Sequence, residues 1–370
     1  MTPNWDAIRA GFPPVQHLTF FNTATFGQLS VASEQAIARH LKRRREFACA
    51  DFLDWYTDFD GLRAKLACLI HAAPEDIAFM PNASWALAHL LNGLDWRAGD
   101  EVVTAEGEFC NQLYVAEHLT RRGVRRIRCE YEDVLAALTP RTRLVLLSTV
   151  NYTTGYRARV TEIAAELRRR GVLFYLDATQ SLGALQLDCS AVQPDLLAVD
   201  CYKWMLAPNG AAFMAVAPAL RERLAPLAVG WRSHSGWRNV DQLWEGMPEF
   251  SATAEKYEAG MLASLPLCAL EASVDLMLGT GPEVIEQRVL ALAGLVRERL
   301  RALGGEPLPY GDSAIAAVRF PGHDASALAV ALKKRGIIVS ARHGQLRVST
   351  HLYNNDEDVA RLAAALRELL

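Results

Sequence analysis

Between residues 77 and 216, short apolar runs alternate with stretches whose apolar positions recur every three to four residues. The runs at 77–80, 101–104, 125–129, 144–150, 172–176, 196–199 and 212–216 predict strands, with helical stretches between most of them. That rhythm predicts a mainly parallel sheet covered by helices on both faces. After residue 260 the pattern changes. Two long helical stretches, 262–278 and 283–303, flank Gly279-Thr-Gly281. A strand (314–320), a helix (326–335), two short strands (337–339 and 346–349) and a last helix (356–370) follow. At the other end, Trp5, Ile8 and Phe12 lie on one face of a short helix that Pro13-Pro14 terminates. Residues 18–21 predict a short strand, 22–27 a turn and 33–47 a helix. The predicted fold class is α/β, with a large domain over 17–259 and a smaller α+β domain made of 1–16 and 260–370. The stretch 230–259 is rich in Trp, Ser and Gly and too long for an idle connector, so it is either functional or disordered.

Composition narrows the function classes. Of 370 residues 51% are hydrophobic and 22% charged, as in an ordinary globular protein. A net charge of −3 gives no basic surface for nucleic acid or membrane, and Lys42-Arg-Arg-Arg45 reads as a solvated helix face because Glu46 and Asp51 follow. The seven cysteines are dispersed without a CxxC pair, which suggests neither a zinc site nor a disulfide framework and suits a reducing cytoplasm. The first residues lack the apolar core of a signal peptide, and no uncharged apolar run is long enough to span a bilayer.

The chemistry is concentrated in Tyr175-Leu-Asp-Ala-Thr-Gln-Ser-Leu-Gly183 and Tyr202-Lys203-Trp204. Asp177 ends one predicted buried strand, and Lys203 follows another. Ligands of open α/β sheets collect at such strand ends. Taken singly, Asp177 is a common helix N-cap and Lys203 a common solvated charge. Taken together, an acid and an amine there suit pyridoxal 5′-phosphate (PLP), which needs a lysine for its Schiff base and an acid against its pyridine nitrogen. Asp-Ala-Thr-Gln-Ser-Leu-Gly followed by Asp195 and Lys203 resembles the class V family of fold-type I PLP-dependent enzymes, which includes cysteine desulfurases, kynureninases and isopenicillin N epimerase-like proteins. The resemblance runs from about Asn22 to the C-terminus. It implies a fold-type I transferase-like architecture, a homodimer, and an internal aldimine on Lys203.

Further stations of the resemblance recur in order. Pro81-Asn-Ala-Ser-Trp85 follows a strand and opens a helix, which either binds the cofactor phosphate through Ala83 and Ser84 or is a simple N-cap. Phe109 corresponds to the family residue that stacks on the pyridine ring. In Thr149-Val-Asn-Tyr-Thr-Thr-Gly155 the residue three before the glycine, which meets the cofactor's phenolic oxygen in cysteine desulfurases, is Tyr152. Asn151 either substitutes for it or caps the loop. Gln180 matches a residue near the Schiff-base side of the ring, and Tyr202 one whose hydroxyl meets the phosphate. Trp231 resembles a tryptophan that reaches the phosphate across a dimer, or else packs in the interface. Asp200 and Met261 stand where many relatives have hydroxyl side chains, two departures in the phosphate site. Arg347, in Leu-Arg-Val-Ser-Thr-His-Leu-Tyr-Asn354, corresponds to the clamp on the substrate α-carboxylate, for which a guanidinium fork is well shaped. Arg342 and Asn22 complete the expected substrate contacts, and Arg232 and Arg238 are the next candidates for the clamp.

These assignments imply a class V aminotransferase-like enzyme acting at Cα or Cβ of an amino acid, with a C–S or C–C lyase or an isopenicillin N epimerase-like activity as alternatives. Cysteine desulfurases carry a nucleophilic cysteine on a loop shortly before the clamping arginine. Residues 337–346 are short and contain none, which argues against a persulfide route.

Overall fold

The computed structural model describes residues 3–243 and 246–370. Residues 244 and 245 of the long 230–259 stretch, and residues 1 and 2 of the first predicted segment, lie outside it. The chain begins with α1 (Trp5–Ala10), β1 (Thr19–Phe20), α2 (Val31–Phe47) and α3 (Phe52–Ile70). The sheet region follows as β2 (Ile77–Met80), α4 (Ala83–Gly93), β3 (Glu101–Ala105), α5 (Cys110–Leu119), β4 (Arg125–Cys129), β5 (Thr142–Ser148), α6 (Val160–Arg170), β6 (Leu173–Asp177), α7 (Cys189–Val192), β7 (Leu196–Asp200), β8 (Ala212–Val216) and α8 (Pro218–Arg221). Then come α9 (Ser264–Thr280), α10 (Pro282–Arg301), β9 (Glu306–Pro307), β10 (Ile315–Arg319), α11 (Ala325–Lys334), β11 (Ile337–Ile338), β12 (Ser340–Arg342), β13 (Gln345–Ser349) and α12 (Asp356–Arg367).

The main sheet has seven strands in the order β2-β8-β7-β6-β5-β3-β4. All are parallel except β8, which runs antiparallel to both β7 and β2. A short loop joins β7 to β8 with no helix between them, so β8 must reverse direction. Every residue of β2, β3, β6 and β8 is buried, as expected of strands covered on both faces. The strand order reverses between β3 and β5, and the loops after β3, β5, β6 and β7 open on the same side of the sheet. That is where a doubly wound sheet builds its site.

Helix α3 is absent from the elements predicted above. Its buried residues Trp55, Phe59, Leu62, Leu66 and Leu69 recur at helical spacing, but Arg63 and an acidic outer face dilute the apolar run. The second sheet, β12-β13-β10-β9, is antiparallel and packs with α10, α11 and α12. The predicted strand at 337–339 splits into β11 and β12, and β11 pairs in parallel with β1 near the N-terminus. The N-terminal segment is tied there again by Arg9, which donates to Asp358, and by Asn354, which donates to the Phe20 carbonyl. No helix among the described residues is long and apolar enough to cross a membrane.

Candidate active site

Asp177 is the last residue of β6 and is buried. Its Oδ1 accepts the Thr179 N–H at 2.8 Å, and its Oδ2 accepts Gln112 Nε2 at 3.3 Å. Burial pushes its pKa up, against the pull of the Thr179 hydrogen bonds and the Lys203 charge. The carboxylate is thus short of a cationic partner.

Lys203 lies in the loop after β7, and that loop is fixed from several sides. The Trp204 indole N–H donates to Gln180 Oε1 at 3.0 Å, and His351 Nε2 donates to the Trp204 carbonyl at 2.8 Å. A Cβ at Gly27 would lie 2.0 Å from the Lys203 carbonyl oxygen, and one at Gly183 would lie 2.2 Å from that of Trp204. Both glycines therefore permit backbone to pack directly on the loop. Leu206 closes the loop in the left-handed region at φ 54°. The Lys203 amine sits 5.4 Å from the centre of the Phe109 ring. Burial lowers its pKa to about 8, opposed by Asp177 and Asp200 and reinforced by Arg347 and Arg342.

Lys203, Asp177, Phe109, Gln180, Asp200 and Tyr152 line one cavity. Of the residues expected at the phosphate, Ala83 is buried and donates its N–H to Asp200 Oδ1 at 3.0 Å. Asn82 caps α4 by accepting the Trp85 N–H, and Ser84 remains exposed. Tyr202 is half-buried, 5.0 Å from the Phe26 ring.

Two expected cofactor contacts are otherwise engaged. Asn151 accepts from Thr153 and Thr154 and donates to the Gly107 carbonyl, so its side chain caps its own loop, and Tyr152 lines the cavity instead. Gln180 lies in the turn after β6 and does line the cavity, but its amide joins Trp204 to the Ala24 carbonyl. Trp231 packs edge-on against Tyr56 and Trp237 and is not among the residues lining the Lys203 cavity of its own chain.

At the substrate end, Arg347 is 1% exposed. Its guanidinium donates to the Tyr152 carbonyl at 2.6 Å, to Thr25 Oγ1 at 2.6 Å and to Ser340 Oγ at 3.0 Å. Thr25 in turn donates to Asn22, which joins Asn22 to Arg347 through a residue that sequence reasoning missed. Burial and nearby Arg342 lower the Arg347 pKa to about 9. Arg342 is half-buried on β12 and donates to the Ala341 carbonyl. Arg232 and Arg238 are committed elsewhere. Arg232 pairs with fully buried Glu258, which also holds Arg63 and the Phe79 N–H, and Arg238 pairs with Asp60.

Behind the cavity, Glu108 is a second residue missed as functional. It accepts from the Tyr131 hydroxyl and from both the N–H and the hydroxyl of Ser148, each at 2.6 Å. Gln112 links that cluster to Asp177 through Ser148. Burial raises the Glu108 pKa to about 7, with Asp177 adding to the rise. Position gives a signal for Gln112, which lies in the first turn of α5 after Phe109.

Residues 53–362 match the aminotransferase class-V family. The chain belongs to that family. It is a family of PLP-dependent enzymes, and the class V donor set fits PLP here: a buried amine of lowered pKa, a buried carboxylate of raised pKa, an aromatic ring beside the amine and a helix start whose Ala83 N–H meets Asp200 of the same cavity. The isopenicillin N epimerase of Amycolatopsis lactamdurans is 31% identical over 83% of this chain and 84% of its own length. A probable cysteine desulfurase of Methanothermobacter thermautotrophicus is 27% identical over 83% of this chain and 82% of its own. Among solved structures, a C-DES mutant with glycine covalently linked to its PLP cofactor superimposes with a TM-score of 0.91 at 23% identity, covering 99% of this chain and 100% of that one. The fold is that of fold-type I PLP enzymes.

Proposed function

We propose that this chain is an aminotransferase-like class V enzyme that acts at Cα or Cβ of an amino acid, with Lys203 carrying PLP and serving as the base at Cα. The observation that carries this reading is the meeting of Lys203, Asp177 and Phe109 in one buried cavity. Bound there, PLP supplies an aldehyde and an electron-withdrawing ring. The Lys203 amine, with a pKa of about 8, is partly neutral near pH 7, so it can act as a nucleophile and can take or return a proton at Cα. Asp177 would hold a proton on the ring nitrogen through a charge-assisted hydrogen bond. Arg347 would bind the α-carboxylate: its three present acceptors are all uncharged, so they aim the guanidinium without neutralising it.

Epimerisation is the second reading, favoured by two relatives named isopenicillin N epimerase at 31% and 30% identity. A C–S or C–C lyase shares the same first proton transfer. A persulfide route lacks its nucleophile. β12 and β13 are joined by the tight turn His343-Gly344, and Cys201 beside the lysine is a fully buried thiol pushed well above its ordinary pKa by burial. A homodimer in the cytoplasm is part of the proposal. Trp85 and Met261, 43% and 61% exposed, border an apolar groove of about 270 Å³ beside the start of α4, which suits a subunit boundary. So is the division into a large domain over 17–259 and a small domain of 1–16 and 260–370, supported by Arg9 of the N-terminal segment, which pairs with Asp358 of α12.

A panel of L-amino acids and S-conjugated cysteines tests the reading, each assayed in D₂O for α-deuterium, inverted configuration, keto acid, pyruvate and ammonia. Keto acid formation with α-exchange supports transamination, and inversion without keto acid supports epimerisation. No α-exchange with any substrate would refute both.

A further inference from the structure

The start of α4 already holds an anionic group of the protein's own. Ala83 donates its N–H to Oδ1 of Asp200 at 3.0 Å, and Asp200 ends β7 with its own N–H held by Thr179 Oγ1 at 2.9 Å. The same carboxyl lines the cavity of Lys203 and Asp177. A helix start of this kind attracts phosphate through its free N–H groups and dipole. An ionised carboxylate there can only accept hydrogen bonds, so it would compete with a phosphate for the N–H and repel it. A protonated carboxyl instead carries one O–H donor.

We propose that Asp200 meets the cofactor phosphate as a neutral carboxylic acid, so that cofactor uptake by this chain places one proton on Asp200. The inference rests on the reading that the Lys203 cavity holds PLP. The titratable groups facing Asp200 are Asp177 and Tyr175 on β6, and Cys201, Tyr202 and Lys203 after β7. The first residues of α4, Ala83 and Ser84, bring no charge. Lys203 is the cation of this set. Burial, with Asp177 adding to it, already raises the Asp200 pKa to about 6 against the pull of the Ala83 N–H and Lys203. A phosphate dianion alongside would raise it further. The sign follows by linkage. Below about pH 6 the proton is already in place and costs nothing. Above it, each pH unit should weaken binding roughly tenfold through this group.

The probe is pyridoxine 5′-phosphate, which lacks the aldehyde and so removes Lys203 chemistry from the measurement. Its dissociation constant is measured from pH 6 to 8.5 by tryptophan fluorescence on wild type, Asp200→Asn and Asp200→Ser, with folding checked by circular dichroism. The phosphate's own titration is common to all three proteins. Wild-type affinity should fall about tenfold more per pH unit than that of either variant. Difference infrared spectra of wild type alone should gain a protonated-carboxyl band on binding. Equal pH slopes together with no such band would overturn the Asp200 inference and leave the PLP reading intact. Failure of the probe to bind at any pH, with no borohydride-fixed PLP on Lys203, would overturn both.

Discussion

The indole N–H of Trp204 donates to the side-chain oxygen of Gln180 at 3.0 Å, so the residue following the reactive lysine is held by the turn that follows Asp177. The acid and the amine are thereby positioned against each other by a side chain that sequence resemblance assigned to the cofactor alone.

Gln180→Ala should leave the buried indole N–H and the Ala24 carbonyl without partners. An unsatisfied buried group costs about 1–3 kcal/mol. Denaturant titration should show a loss of that size, and borohydride should fix less PLP on Lys203 at limiting cofactor. Unchanged values in both would deny Gln180 a positioning role.

Lys203→Ala should bind PLP without a borohydride-reducible bond and lack turnover. Covalent PLP at another lysine would refute the assignment. Asp177→Asn should still bind PLP but lose Cα protons more slowly. Charged hydrogen bonds are worth about 1.5–3 kcal/mol, which corresponds to roughly ten- to a hundredfold in rate. Single-turnover α-deuterium exchange at the wild-type rate would remove Asp177 from that role.

How far these roles were legible varies by residue. Asp177 and Lys203 stand out because an apolar run fixes each strand, and the strand end fixes where the next polar residue goes. Sheet direction was less legible. The 212–216 run reads like any buried strand, and only the missing helix before it signals that β8 is antiparallel. Hydrogen-bond choice was least legible. Asn151 could meet a cofactor or cap its loop, and it finds three donors within its own turn. Arg232 reads as a free cation until α3 folds and brings Arg63 to the same buried Glu258. The Arg63–Glu258 contact spans 195 residues of sequence, and no local pattern encodes it.

His351 makes stability sensitive to acid. It is fully buried, donates through Nε2 to the Trp204 carbonyl and accepts the Leu352 N–H at Nδ1, so it is neutral in the folded chain. Burial lowers its pKa to about 4 from 6.5. The unfolded chain therefore binds more protons between these values, and stability present above pH 6.5 is lost as pH falls toward 4, by about 1.4 kcal/mol per unit at most. Glu108 acts in the opposite sense. Its raised pKa of about 7 makes it a contribution lost as pH climbs from its ordinary value of 4.5. His351→Gln retains a donor without the titration, so its unfolding free energy should fall less than that of wild type between pH 6.5 and 4.5. Parallel pH curves for the two proteins would exclude the effect.

Arg347 gives the sharpest test of the substrate end. It is buried, and its guanidinium is aimed by Tyr152, Thr25 and Ser340, none of which supplies a negative charge. Its lowered pKa reflects that want of an anion, because burial and Arg342 both disfavour the cation. A substrate carboxylate would relieve both. Removing one partner of a buried charge pair costs about 2–5 kcal/mol, on the order of tens to thousands in binding. Arg347→Ala should therefore bind PLP within a few-fold of wild type while losing amino-acid affinity by that factor. Arg347→Lys should recover only part of it, since an ammonium cannot form the two-pronged contact. Arg342→Ala should alter side-chain preference more than general affinity. Spectral titration of the PLP-loaded proteins with several amino acids reads all three. Wild-type affinity of Arg347→Ala for every amino acid would move the clamp elsewhere. Arg342 would then be the residue to test, because Arg232 and Arg238 are already held by acidic partners.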